Sequence, residues 1–246
     1  MSQNFLQLNA NKTEILVIGP ENIANSIRMS LGSLASNVTD IAKNLGIFFD
    51  SHMNLEFHVN KVTQSCFYHL RNIKKIKPIL TTQDLEKIIH AFVSSRLDYC
   101  NGLYSTLSSS SIHRLQLIQN TAARILTNTN RRAHITPVLA ALHWLPIKSR
   151  IDFKILLITY KALHDLAPPY ISELLHAKPN VRALRSSNKG LLDIPPSNLK
   201  TKGDRAFAVI APTLWNTLPL VIKNAQSVDV FKNLLKTHLY RLHFTL

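Results

Sequence analysis

Residues 57–80 read FHVNKVTQSCFYHLRNIKKIKPIL, and the spacing of their apolar side chains decides what kind of fold this chain takes. Val59, Val62, Cys66, Leu70, Ile73 and Ile76 recur at steps of three and four, which in a helix of 3.6 residues per turn puts them on one face. Lys61, Arg71, Lys74 and Lys75 fall off that stripe, and Pro78, which has no backbone N–H to donate, stops the run. The stretch predicts a long amphipathic helix with a basic outer face. Downstream the helical spacing continues. Thr81 with Asp84 three residues on resembles a capping box that opens a second helix, striped by Leu85, Ile88, Ile89, Phe92, Val93 and Leu97. Ser111 begins a third, striped by Ile112, Leu115, Ile118, Ala122 and Ile125. Shorter helices are expected from Pro137 to Leu142, from Lys148 to Leu163 and from Pro169 to Leu175. Ser227 caps a last one, with Phe231, Leu234, Leu235, Leu239 and Leu242 inward.

Upstream of residue 55 the pattern is different. Short β-rich pieces alternate with turn residues: Thr13 to Ile18 ended by Gly19 and Pro20, Ile27 to Leu31 ended by Gly32, and Leu45 to Phe49 ended by Asp50 and Ser51. The expected fold class is therefore α+β, mostly α. A small β-rich part over residues 1–55 precedes a helical bundle over 56–130 and a C-terminal helical region over 131–246. The stretch from Lys178 to Asp204, rich in Ser, Asn, Pro and Lys, reads as a basic loop.

Of the 246 residues, 46% are hydrophobic, which excludes a disordered tail, and six Gly and two Cys exclude collagen, disulfide scaffolds and Cys-rich zinc modules. No basic region followed by an apolar stretch opens the chain, and polar residues interrupt every apolar run, so neither an export signal nor a membrane span is expected and the placement is intracellular, nuclear or cytoplasmic. The formal charge is +15 and is regional. Residues 1–60 hold three bases and five acids, a net of −2, and the remainder holds 26 bases and nine acids, a net of +17. Between Asp98 and Asp152 there is no acidic residue. Such an excess on a foldable chain points to a polyanion, with nucleic acid the leading class and a merely solubilising surface the alternative. The candidate contacts are Arg71, Lys74, Lys75 and Lys77 on the first helix, and Arg114, Arg124, Arg131, Arg132, Lys148 and Arg150 in the acid-free stretch.

Catalytic signals are sparse. Two-metal phosphoryl or nucleotidyl transfer needs closely set carboxylates, yet there is no Asp-Asp pair, and Asp84 with Glu86 sits where carboxylates favour a helix N-terminus. No glycine-rich phosphate loop is present. His134 with His143, and His238 with His243, have loosely suitable zinc spacings but lack a third ligand nearby. Cys100 has no neighbouring base and reads as a buried structural thiol. No catalytic residue, metal, cofactor or small-molecule substrate is expected of this chain.

The order of longer segments carries more information than these statistics. LQLNANKTEILVIG (6–19), LGIFFDS (45–51), LRNIKKIKPILT (70–81), SSRLDYCNGLY (94–104), LQLIQNTAARIL (115–126), LHWLPIKSRIDFKILLITYKAL (142–163), APPYISELL (167–175), RAFAVIAPTLWNTLP (205–219) and FKNLLKTHLYRLHF (231–244) follow one another along the chain. Together they resemble the C-terminal part of a non-LTR, LINE-type, jockey-like retrotransposon reverse transcriptase. The resemblance implies that residues 1–55 are the last part of a palm and that the helices from Phe57 to Leu126 are a thumb, which grips RNA, DNA or hybrid duplex through its backbone. By the same resemblance Lys12 belongs to a motif that closes the palm. The family's fingers, its metal-binding aspartates and its endonuclease would lie before residue 1, as would the Mg²⁺ site of the full-length enzyme. The expectation is thus a truncated, non-catalytic fragment with residual sequence-independent nucleic-acid binding. The alternatives are the tail of an intact RNA-directed DNA polymerase encoded upstream, or a non-functional transposon remnant.

Overall fold

The computed structural model describes residues 9, 12–178, 190–197 and 203–244. The chain is mostly helical, with one two-stranded antiparallel sheet near its N-terminus. It divides into two compact units, Met1–Gln64 and Ser65–Leu246, and the boundary falls within a single long helix, α2 (Glu56–Ile76).

In the first unit, α1 (Glu21–Ser30) precedes strands β1 (Ile41–Asn44) and β2 (Ile47–Asp50). The hairpin register pairs Asn44 with Ile47, so the connection is Leu45-Gly46, with φ of +46° and +85°. Positive φ at both central residues is the geometry whose twist matches a β-hairpin, and glycine adopts it without steric cost. The sequence reading and the structure differ at three points here. Ile27 to Leu31 is not a strand: the end of α1 covers residues 27–30, because Pro20 pre-sets the entry and Glu21 and Arg28 occupy the helix ends that suit their charges. Thr13 to Ile18 forms only a single parallel bridge, Ile15 with Val38. The partner of β2 is β1, which has too few apolar residues to signal a strand. Asp50 ends β2 and organises the loop that leads into α2. Its Oδ1 accepts from the N–H of His52 and Asn54, and its Oδ2 from that of Leu55 at 2.7 Å, holding a backbone in which Met53 and Leu55 have φ of +53° and +58°.

In the second unit the chain runs through α3 (Thr82–Ile89), a π turn (His90–Ser94), α4 (Ser95–Asp98), α5 (Ser109–Thr127), α6 (Thr136–Ala141), α7 (Ile147–Leu163) and α8 (Pro169–Ser172). It ends with α9 (Phe207–Thr217), α10 (Leu220–Lys223) and α11 (Val228–Phe244). Thr81 caps α3 as the sequence predicts, its Oγ1 accepting from the N–H of Asp84 at 3.1 Å. Ser108 does the same for α5 through Ser111, and Ser227 for α11 through Val230. The stripe of the second helix is followed as far as Ile89. The π turn then inserts an extra residue per turn, which rotates the remaining side chains. Phe92 is consequently 44% exposed, while Val93 and Leu97 are buried.

Helix α7 is the centre of this unit and packs against α5, α9 and α11. Ile147, Ile151, Ile155, Leu156, Thr159, Tyr160 and Ala162 are all buried along it, more than one face of a surface helix supplies. Its amino end follows Pro146 and has no side-chain cap of its own. Gln116 on α5 supplies one, its Oε1 accepting from the N–H of Ile147 at 2.9 Å, while the buried Gln119 donates from Nε2 to the Leu145 carbonyl at 2.8 Å. Helix ends leave such groups unpaired, so a partner from another helix both satisfies them and fixes the register of α5 against α7. At the other end Tyr160 lies between His164 and Phe231, each ring 4.2 Å away, and its hydroxyl donates to the Ala225 carbonyl at 2.7 Å.

Helices α1, α9 and α10 go beyond the sequence expectation. Around α9 the segment APTLWNTLP acts as a clasp: Asn216 accepts from the N–H of Leu192 and donates to its carbonyl at 2.9 and 2.8 Å, and Trp215 donates to the Gly190 carbonyl at 3.0 Å. Most of the predicted loop from Lys178 to Asp204 lies outside the described residues. Leu242, expected to face inward, is 68% exposed.

The two thiols occupy opposite environments. Cys66 is fully buried on α2, and burial pushes its thiol up to about 11 against the smaller opposing effect of Arg96. Cys100, expected to be buried, is exposed, because it sits just past the end of α4 with φ of +50°. A thiol reagent that requires thiolate therefore modifies one cysteine per native chain at pH 8 and two in denaturant. Two fast-reacting thiols in the native protein, counted by absorbance, contradict this packing.

Candidate nucleic-acid interface

The structure sorts the ten predicted bases into those that face solvent and those that hold the fold together. Arg71, Lys74 and Lys75 are exposed on the last turns of α2 and have no side-chain partner among the described residues. The positions are three and four residues apart, so the three cations share one helical surface. Tyr68, 56% exposed, lies one turn earlier on the same surface. His69 beside it packs on Phe92, ring centroids 5.1 Å apart, and loss of hydration together with the nearby Arg96 cation holds its imidazole below the usual histidine range. An aromatic patch thus adjoins the cationic stripe.

Lys77 has a different role. Its Nζ donates to the Ile125 carbonyl at 2.6 Å and to Asn128 Oδ1 at 3.2 Å, so it closes the carboxyl end of α5, where a cation also suits the helix dipole. That contact brings the ends of α2 and α5 together. Arg131 and Arg132 follow three and four residues after Asn128 in an exposed turn, the N–H of Arg132 donating to Asn130 Oδ1. Arg124 donates to the Ala133 carbonyl across the same turn at 3.1 Å. Arg114 is half-buried on α5.

Lys148 and Arg150, grouped with Arg131 and Arg132 in sequence, are engaged elsewhere. Lys148 pairs with Asp152 at 2.9 Å, one turn along α7. Arg150 grips Asp98 with two parallel bonds, Nε to Oδ1 at 2.8 Å and Nη2 to Oδ2, which joins SSRLDYCNGLY to LHWLPIKSRI. The Arg150–Asp98 pair spans 52 residues. No local spacing signals it. Lys12 is exposed in the first unit, and its backbone N–H donates to the Asn9 carbonyl.

Among the described residues no three His, Cys, Asp or Glu side chains converge as metal ligands, and no helix is long and apolar enough to cross a membrane. Three acidic groups of the second unit have partners of their own. Asp84 is bonded to Thr81 and Lys87, which hold its carboxyl below the usual range; Glu86 stands 3.5 Å from His90, and Asp98 is held by Arg150. Comparison with family models, curated protein sequences and solved structures returns no match to this chain.

Proposed function

We propose that this chain is a nucleic-acid-holding module of the non-LTR reverse-transcriptase type, which binds the backbone of an RNA and DNA duplex without performing catalysis. The observation that carries the proposal is the stripe Arg71, Lys74 and Lys75, three solvent-facing cations with no counter-ion among the described residues, on the helix whose segment LRNIKKIKPILT belongs to the resemblance. Cations displayed along one helix face contact phosphates as point charges or forks and fix orientation without reading sequence. The turn at Arg131 and Arg132 extends the basic surface from the end of α5. Among the described residues Asp84, Glu86 and Asp98 are each engaged by a hydroxyl, a lysine, a histidine or an arginine, and no Mg²⁺ is assigned to them.

Titration of a labelled RNA and DNA hybrid duplex at several salt concentrations tests this. Binding is expected to weaken linearly on a log–log plot, with a slope of about −0.9 per phosphate neutralised, and to be indifferent to sequence. Absence of binding, or binding that salt leaves unchanged, refutes it.

A further inference from the structure

The second unit holds a cavity of about 460 Å³ whose walls come from α3 and the π turn, α4 and the residues after it, the segment before α7, and α7 and α11 themselves. Its charges are unevenly compensated. Of the two carboxylates in the wall, Asp98 is taken by Arg150 and Glu86 stands 3.5 Å from His90 Nε2. Lys154 on α7 and Lys236 on α11 also line it and have no hydrogen-bond or ion-pair partner among the described residues. Two cations without counter-ions therefore border one concave space.

Aromatic rings, two leucines and a carboxamide make up the rest of the wall. Trp144, 7% exposed, packs against His90 with ring centroids 5.4 Å apart, and Phe153 stands in the same wall. Asn101, 3% exposed, contributes its carboxamide, and its Oδ1 is buried with no donor. A volume of this size, mostly preformed, with an aromatic wall and a few convergent polar groups, is what a small-ligand site requires. The combination asks for a ligand with a dianionic end, a flat ring and an N–H donor.

We propose that this cavity binds a mononucleotide, the phosphate between Lys154 and Lys236 and the base along Trp144 and Phe153. The site is separate from the duplex-facing stripe on α2 and does not depend on that function. The mononucleotide comes either free from solution or as the 5′-phosphorylated end of a single strand, because both present the same phosphate and base.

The test uses the full chain with Trp215→Phe, so that fluorescence reports Trp144 alone. AMP, adenosine, inorganic phosphate and a 5′-phosphorylated tetranucleotide are titrated in turn. Saturable quenching by AMP or by the tetranucleotide is expected, the tighter of the two identifying the source. Adenosine and phosphate are each expected to bind at least tenfold more weakly than the better of these, since each lacks half of the recognition. Lys154→Met with Lys236→Met keeps the side-chain stems and is expected to weaken nucleotide binding about tenfold or more, as removal of charge-assisted hydrogen bonds does. Quenching by neither AMP nor the tetranucleotide, an affinity for phosphate equal to that for AMP, or binding that the double lysine variant leaves unchanged would overturn the proposal. If Trp215→Phe impairs folding, the same titrations by calorimetry on the unaltered chain carry the same outcomes.

Discussion

Phe231→Ala is expected to lower the unfolding free energy of the second unit by about 3–5 kcal/mol, the range for truncating a buried aromatic side chain. Phe231 has no solvent exposure and stands between Tyr160 of α7 and Trp215 of α9, with ring centroids 4.2 and 6.1 Å away. Three helices meet through it. Removing the ring takes its apolar area out of the core and leaves a cavity that Tyr160 cannot move to fill, because its hydroxyl is bonded to the Ala225 carbonyl. Phe231→Leu keeps most of the volume and forgoes only the ring stacking, so it is expected to cost less than half as much. Urea titration followed by Trp fluorescence measures both. Equal midpoints for the alanine variant and the unaltered chain would mean that α11 is not anchored through this residue.

The second large effect is on binding. Arg71→Ala, Lys74→Ala and Lys75→Ala combined are expected to reduce the slope of log affinity against log salt by about 2.7, from roughly 0.9 for each phosphate no longer neutralised. Relative to 1 M salt, at 0.1 M this corresponds to a drop of roughly 500-fold in affinity for duplex. The fold should tolerate the change. All three side chains are exposed and alanine is the best helix former, so the only cost is that of removing Lys74 and Lys75 from the carboxyl end of α2, about 0.3–1 kcal/mol each. Circular dichroism verifies that helix content is kept. Removing Lys77 instead would mix binding with stability, because that residue closes α5. An unchanged slope in the triple variant would place the phosphate contacts elsewhere on the basic surface.

Legibility in the sequence depends on how local each signal is. The stripe of α2 and the Thr81 cap are written in spacings of three and four residues, and the structure follows them as far as Ile73; Ile76, at the end of the stripe, is 42% exposed. Phe92 departs because a π turn changes the period in the middle of its helix, and nothing in the apolar pattern marks the insertion. Helix α1 escapes the sequence reading because Ile27, Met29 and Leu31 alternate with the polar Arg28 and Ser30 as in a strand, while the Pro20 and Glu21 that start the helix are weaker signals. Helix α9 escapes it because Pro212 sits inside the helix. The basic residues are legible as a group but not in their roles. Sequence shows that Lys77 and Arg150 are charged; it does not show that one reaches the end of α5 and the other Asp98.

The sequence by itself determined that this is a helical chain with a small sheet at one end, that its excess of positive charge is confined to the part after residue 60, and that its first long helix carries cations on the outside. Those properties arise from periodicity and composition, which act over a few residues. Tertiary structure decided which cations remain available to a partner, which thiol is accessible, and that Lys154 and Lys236 border one cavity with Trp144. These depend on packing between helices dozens of residues apart, where a charge left without a counter-ion is defined only once the neighbouring side chains have taken their own partners.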